Sequence, residues 1–399
     1  MAYGQYLTPR ARELEPVEIR KVVDMIRGED VIPLAAGWPN PESFPIDILD
    51  ELIQRRLAER GTEMLQYGVT PGEETLRTRI GHRLRSTYGI DADAEEIMVT
   101  SGSQQGLYIL ARALLDDDST AVAGAPTYVA ALTAFESLTD PTYKQVPLDD
   151  DGLDLDALER VLETTSPELV YVVPTYQNPT GITMSRARRR RLVGLAHEHD
   201  FLIVEDSPYA ELSFGTNPPA PIASFDRDRT IYLGTMSKIL APGFRIGWMV
   251  APPELIETFE LLKQPIDLHT SSFSQHVAAG YLQEGIIDDQ IDRITELYAG
   301  KRDIALKTLR ETMPDYVDWT EPHGGMFLWL TLPDRFDTEA MLVDAIDNGV
   351  AYIPGHAFYA AEPRYDTLRI NFTYVDDDAV RDGIRKLAAT IRQHEPDSP

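Results

Sequence analysis

Six short runs recur through the middle of the chain: EIMVTSG (96–102), STAVAGAP (119–126), ELVYVVP (168–174), FLIVED (201–206), TIYLGT (230–235) and IGWMVAP (246–252). Each is apolar on both faces, rich in β-branched residues, and bounded by Gly, Pro or Asp. A strand with one wet face alternates polar and apolar residues. Runs without that alternation predict strands covered on both sides, as in a mostly parallel sheet. Between them lie the helical patterns SQQGLYILARALL, SRARRRRLVGLAHEHD and SQHVAAGYLQEGII. Alternating strands and helices predict an α/β fold with helices on both faces of the sheet.

The texture changes after about residue 300, where the helical run KRDIALKTLRETM precedes strand patterns around GGMFLWLTL, VAYIPG and TLRINFTY. A smaller α+β region is expected there. The first 45 residues contain the helical pattern EPVEIRKVVDMIR and no strand partner for the sheet, so they are expected to join the second region. The expected division is a large domain over 46–299 and a small one made of 1–45 plus 300–399, which suits 399 residues.

Charge removes several function classes. The chain has 65 acidic and 37 basic residues, a net charge of −28, and lysine only at positions 21, 144, 238, 263, 301, 307 and 386. Such a surface repels nucleic acid, so the arginine-rich run 187–191 reads as a solvated helix face. The acidic runs LLDDDST and VPLDDDGLDLD lack the spacing of a calcium loop, and no metal site is expected. With no cysteine, thiolate catalysis and disulfides are excluded. No apolar run is long enough to span a bilayer, and the N-terminus lacks the apolar stretch of a secretory signal, so a cytoplasmic location is expected. Spread along the whole chain, the acidity resembles that of proteins from salt-loving archaea.

Against that scarcity, Lys238 in LGTMSKILAPGFRIGW (233–248) stands out. It follows one strand end, and Asp206 and Tyr209 follow the end of the preceding strand as D-x-x-Y. In open α/β sheets the carboxyl ends of strands are where ligands bind. A carboxylate, a phenol and an amine are thereby expected in one crevice. An amine able to form a Schiff base, beside a carboxylate able to pair with a pyridine nitrogen, is the donor set that pyridoxal 5′-phosphate requires. VTSGSQQGL supplies a phosphate cradle: Gly102 lets the backbone approach, and Ser103 and Gln104 open a helix whose free N–H groups face the anion. Thr235, Ser237 and Arg245 are expected to complete it. GSQQG matches neither the dinucleotide fingerprint nor the hydrolase elbow, and TMSK lacks the first serine of S-x-x-K.

The set YGVTPGEETLR, SGSQQGL, PTYQNPTG, EDSPYAEL, TMSKILAPGFRIGW, GGMFLW, IPGHAF and LRINFTY resembles class I/II aminotransferases, fold-type-I pyridoxal phosphate enzymes, along nearly the entire chain. The N-terminal "IR" helix and WPNPESFP are most similar to the branch of 2-aminoadipate and kynurenine aminotransferases. The resemblance implies a homodimer with both active sites at its interface. It also implies roles. Lys238 forms the cofactor link and moves the proton between Cα and C4′; Asp206 pairs with the ring nitrogen; Tyr209 and Asn178 bond the ring hydroxyl oxygen; Tyr128 stacks on the ring. Tyr67 reaches the phosphate of the partner subunit. Gly37, Asn178 and Arg369 hold the substrate α-carboxylate, as the guanidinium fork suits a carboxylate. Trp38 flanks the substrate. Arg20 is either a second cation for a distal carboxylate or half of a helix-surface pair with Glu18 or Asp24. The reaction implied is transamination between an amino acid and a 2-oxo acid, with glutamate and 2-oxoglutarate as the expected pair. The same apparatus also serves β-lyases, decarboxylases and cofactor-binding regulators.

Overall fold

The computed structural model describes residues 3–13, 16–137, 139–283 and 285–395. Its centre is an eight-stranded sheet in the order Ile97–Thr100, Gly247–Val250, Thr230–Thr235, Leu202–Asp206, Leu169–Val172, Thr120–Ala125, Thr142–Asp149, Gly152–Leu153. The five strands from Thr230–Thr235 to Thr142–Asp149 run parallel, while Gly247–Val250 is antiparallel to both neighbours. All six apolar runs are strands of this sheet. Every residue of Ile97–Thr100, Leu169–Val172, Thr230–Thr235 and Gly247–Val250 is buried, as two covered faces require. Thr142–Asp149 lies outside those runs. Its exposed and covered residues alternate because it sits near the edge of the sheet.

Two helical expectations need correction. The pattern SQHVAAGYLQEGII is broken: one helix ends at Gln283, Gly285 takes φ +70, and a 27-residue helix begins at Ile286 and runs to Thr312. The run KRDIALKTLRETM is the second half of that helix. The basic run is also more than a solvated face. Arg189 is fully buried and donates to the carbonyls of Met184, Pro174, Pro219 and Ala220 and to Thr175 Oγ1, so it ties the helix Arg186–His199 to the loops below it. Arg188 and Arg191 instead pair with Asp149 and with Asp156 and Glu159.

A second, antiparallel sheet runs Asp318–Trp319, Phe327–Thr331, Thr367–Asn371, Ile353–Pro354. Arg369 sits opposite both Trp329 and Ile353 in its interior. The N-terminal segment meets this region, since Ile32–Pro33 pairs in parallel with Val350–Ala351 and the Leu34 carbonyl accepts from Asn371 N at 2.7 Å. The N-terminal helix spans Glu18–Met25; Glu15, at the start of the expected helix, lies outside the described residues. No helix among the described residues is long and apolar enough to cross a membrane.

Candidate active site

One cavity opens where the parallel strands end. Strand pairing sets Asp206 beside Leu233, and the chain continues from these two strands to Tyr209 and Lys238. Asp206, Tyr209 and Lys238 all line the cavity. Lys238 Nζ donates to the Gly37 carbonyl at 3.1 Å. Burial, with the nearby Arg369 and Arg245 charges, pulls its amine down to about 8. Burial pushes the Asp206 carboxyl up to about 7, opposed by a 2.9 Å hydrogen bond that Asp206 Oδ2 accepts from Tyr171 OH. The other oxygen, Asp206 Oδ1, is buried and has no hydrogen-bond partner among the described residues.

Asn178 bridges two of the groups. Its Nδ2 donates to Tyr209 OH at 3.3 Å, and its Oδ1 accepts from Arg369 Nη1 at 2.8 Å. Burial raises the Tyr209 phenol, and raises the lining Tyr128 phenol to about 12, so both stay protonated near neutrality. Arg369 is fully buried with no carboxylate against it among the described residues. Its Nη2 donates to the Ala35 carbonyl at 2.8 Å, its Nε is unpartnered, and its guanidinium carbon lies 4.3 Å from the Phe327 ring centroid and 5.0 Å from that of Phe358. Burial pulls its pKa down to about 10. A desolvated cation with an idle donor and only carbonyl, amide and aromatic partners is a site for an anionic ligand.

The opposite end is the cradle. Gly102 has φ +78 and caps the helix Ser103–Leu114; a Cβ there would fall 2.5 Å from Arg245 Nη2. A Cβ on Gly247 would come within 2.7 Å of the Gly102 backbone, so two glycines allow the strand and the helix N-terminus to meet. Ser103, Gln104, Thr235, Ser237 and Arg245 line this end. Thr235 Oγ1 accepts from Ser237 N at 3.1 Å and donates to the Ile246 carbonyl at 3.0 Å, which fixes the turn that leads to Lys238. Among the described residues Arg245 makes long bonds to the carbonyls of Pro242 and Ser101, 3.3 and 3.4 Å. Below the cradle, Lys263 Nζ is spent on Asp267 Oδ1 at 2.6 Å, while Asp267 Oδ2 accepts from Ser101 Oγ and Gln105 Nε2 at 3.0 and 2.7 Å.

Gly37 and Trp38 line the remaining wall with Ile19 and Phe327. Trp38 is 45% exposed, with its ring edge-on to Tyr374 at 5.1 Å. Three expected residues do not line this cavity: Gly102, which stands behind Arg245 at the helix cap, Arg20 and Tyr67. Arg20 points outward from the helix that presents Ile19, and its Nε donates to Asp24 Oδ2 at 2.9 Å, because adjacent helical residues face about 100° apart. Tyr67 is 80% exposed and stands edge-on to His269 at 5.9 Å. Sequence reasoning missed Tyr171, Phe327 and Phe358 as parts of the site. An aromatic residue inside an apolar run looks like core until its neighbours are known.

The idle Asp206 oxygen, the amine with its depressed pKa and the anion cradle together fit the ring nitrogen, aldehyde and phosphate of pyridoxal 5′-phosphate. Fold and site therefore define a fold-type-I pyridoxal phosphate enzyme. The chain belongs to the class I and II aminotransferases, whose family model matches residues 29–387, and it is a pyridoxal phosphate-dependent transaminase. It is 45% identical to aromatic-amino-acid aminotransferase 1 of Thermococcus litoralis, over 98% of this chain and 95% of that protein. The solved structure of Pyrococcus horikoshii kynurenine aminotransferase, in complex with PMP, is similar with a TM-score of 0.96 at 43% identity, covering 99% of this chain and 100% of the other. That of LysN, the α-aminoadipate aminotransferase of Thermus thermophilus, in complex with N-(5′-phosphopyridoxyl)-L-leucine, is similar with a TM-score of 0.91 at 32% identity, covering 98% and 99%.

Proposed function

We propose that this transaminase takes amino acids with aromatic or apolar side chains as one partner and glutamate with 2-oxoglutarate as the other. The carrying observation is the asymmetry of the cavity: a buried guanidinium, Arg369, for the α-carboxylate, and a largely apolar wall of Ile19, Trp38 and Phe327 beyond it. Bound pyridoxal phosphate supplies the electron sink and carries the amino group between the two half-reactions. Around it, Asp206 Oδ1 would accept the ring N–H, Tyr209 and Asn178 would hold the ring hydroxyl oxygen, and Tyr128 would cover the ring. The N-terminus of helix Ser103–Leu114, with Thr235, Ser237 and Arg245, would hold the phosphate. Arg369 binds the α-carboxylate and so turns the Cα–H toward Lys238. The Lys238 amine, pulled down to about 8 and so in part unprotonated near neutral pH, would be the group that takes the Cα proton and returns it to the cofactor.

A distal carboxylate, as in glutamate, can draw in Arg20. The exposed Arg20–Asp24 pair contributes only about 0.3–0.5 kcal/mol, against about 1.5–3 kcal/mol for a charge-assisted contact to substrate. Two copies of the chain form the working enzyme in this reading, with Tyr67 directed to the partner's phosphate. Its 80% exposure and the exposed Leu65, Val69 and Leu268 support that arrangement. The small domain of 1–45 plus 300–399 is supported by the pairing of Ile32–Pro33 with Val350–Ala351, although the helix Ile286–Thr312 crosses its boundary. A cytoplasmic, salt-rich setting belongs to the same reading, and the −28 charge supports the salt. Borohydride reduction of the yellow holoenzyme followed by peptide mapping tests the site: the adduct is expected on Lys238, and an adduct on Lys263 would contradict it.

A further inference from the structure

The mechanism above uses Asp206 but not the tyrosine behind it. Tyr171 is fully buried on the strand Leu169–Val172, in register with Val204 of the next strand, and its ring stands edge-on to Phe135 at 5.7 Å. Its hydroxyl donates to Asp206 Oδ2 at 2.9 Å. That contact splits the carboxylate into two unlike oxygens, one satisfied from behind and one, Oδ1, buried without a donor. A buried carboxylate oxygen left idle costs free energy, and it persists only where the fold over-determines it.

We propose that Tyr171 is a positioning residue for the cofactor: it pins Asp206 by Oδ2, so that Oδ1 is the acceptor presented to the ring nitrogen and the carboxylate stays anionic to receive it. The proposal rests on the assignment of Asp206 to the ring nitrogen. Two effects follow from one hydrogen bond. The first is orientation, because a carboxylate held at one oxygen cannot turn to share both. The second is charge. Burial favours the neutral acid, and donation from Tyr171 opposes it. The other groups that bear on Asp206 do not replace this donor: Tyr128, Tyr209 and Tyr232 are phenols raised by burial, and Tyr209 is engaged with Asn178. Lys238 donates to Gly37, and Arg369 to Asn178 and Ala35.

The test uses pyridoxal phosphate labelled with nitrogen-15 in the ring, bound to the native enzyme, Tyr171→Phe and Asp206→Asn. Phenylalanine keeps the packing against Phe135 and removes only the donor. In the native holoenzyme the ring nitrogen should remain protonated from pH 6 to about 9, the span over which free side chains near neutrality titrate. In Tyr171→Phe its chemical shift should titrate toward neutral pyridine within that span. The dissociation constant of the cofactor should rise about tenfold, the equivalent of one such hydrogen bond. An unchanged shift and an unchanged dissociation constant would overturn the proposal, even with a lowered melting temperature. 3-Fluorotyrosine at position 171, a stronger donor of nearly the same shape, should hold the ring proton to higher pH than in the native enzyme; no movement in that direction also overturns it. Retention of the ring proton in Asp206→Asn would instead overturn the assignment of Asp206 itself.

Discussion

The floor of the cavity and its wall are held by different means. On the floor, Asp206, Tyr209, Asn178 and Arg369 are each no more than 5% exposed, and side chain bonds to side chain from Tyr171 through Asp206 and from Tyr209 through Asn178 to Arg369. The part of the wall that carries Gly37 and Trp38 is the loop of residues 35–40, and it is held chiefly by its backbone. Ala35 O accepts from Arg369, Gly37 O from Lys238, and Trp38 O from Asn371 Nδ2 at 3.4 Å, while Asn40 Nδ2 donates to the Thr373 carbonyl. A change of floor residue leaves a buried charge or donor without its partner. A change of the Trp38 side chain leaves all three carbonyl bonds in place. In the proposed function the floor would therefore serve one chemistry, and the wall would select the substrate's side chain.

Lys238→Ala should break the floor most severely. Loss of the amine proposed to move the proton is expected to lower turnover by about a thousandfold or more for every donor, measured as steady-state kcat with phenylalanine and with glutamate. Retained turnover with either would place the base elsewhere. Arg20→Ala tests the rim instead. A roughly tenfold to hundredfold drop in kcat/KM for glutamate or 2-aminoadipate, with phenylalanine affected far less, is the expected outcome if the helix turns Arg20 inward. Equal losses would leave it a surface residue paired with Asp24.

Two smaller effects, read as stability and not as turnover, sharpen the contrast. The Asp206 carboxyl rises from 3.8 to about 7 in the cofactor-free fold. Between those values the folded protein keeps a proton that the unfolded chain has lost, so its stability falls as pH rises through the window. Asp206→Asn does not titrate. The melting temperature of the cofactor-free variant, relative to the native protein, should therefore climb from pH about 4 to about 7 and then level off; a difference independent of pH would show that burial does not strain this carboxylate. Salt should act on the surface alone. With −28 charges the native melting temperature should rise by several degrees between 0.1 and about 3 M KCl as repulsion is screened, while the ratio of phenylalanine to glutamate turnover stays constant. A flat melting curve would remove the salt-rich setting from the proposed function.

Sequence alone exposes much of the floor and little of what supports the wall. The six sheet runs are legible because burial on both faces removes the alternation of polar and apolar positions that a half-wet strand shows. Lys238, Asp206 and Tyr209 are legible because they stand at or just past the carboxyl ends of strands. The strand Thr142–Asp149 is harder to see, since an edge position lets polar residues interrupt the run. Tyr171, Phe327 and Phe358 read as core, and only their side-chain contacts show that they meet Asp206 and Arg369. The Ala35, Gly37 and Trp38 carbonyls are invisible in principle, because every residue carries one. Arg20 is a case of phase: one step along a helix separates Ile19 at the cavity from Arg20 in solvent.

The division of labour is tested most directly by half-reaction rates, read from the cofactor spectrum, for phenylalanine and glutamate with Arg369→Lys and with Trp38→Ala. Lysine cannot reproduce the guanidinium fork, so Arg369→Lys should slow both donors by a similar factor, about 10 to 150, the equivalent of one charge-assisted contact. Trp38→Ala should slow phenylalanine by roughly tenfold or more, as buried aromatic contact is lost, and leave glutamate nearly unchanged. A selective loss with Arg369→Lys, or a uniform loss with Trp38→Ala, would contradict the account.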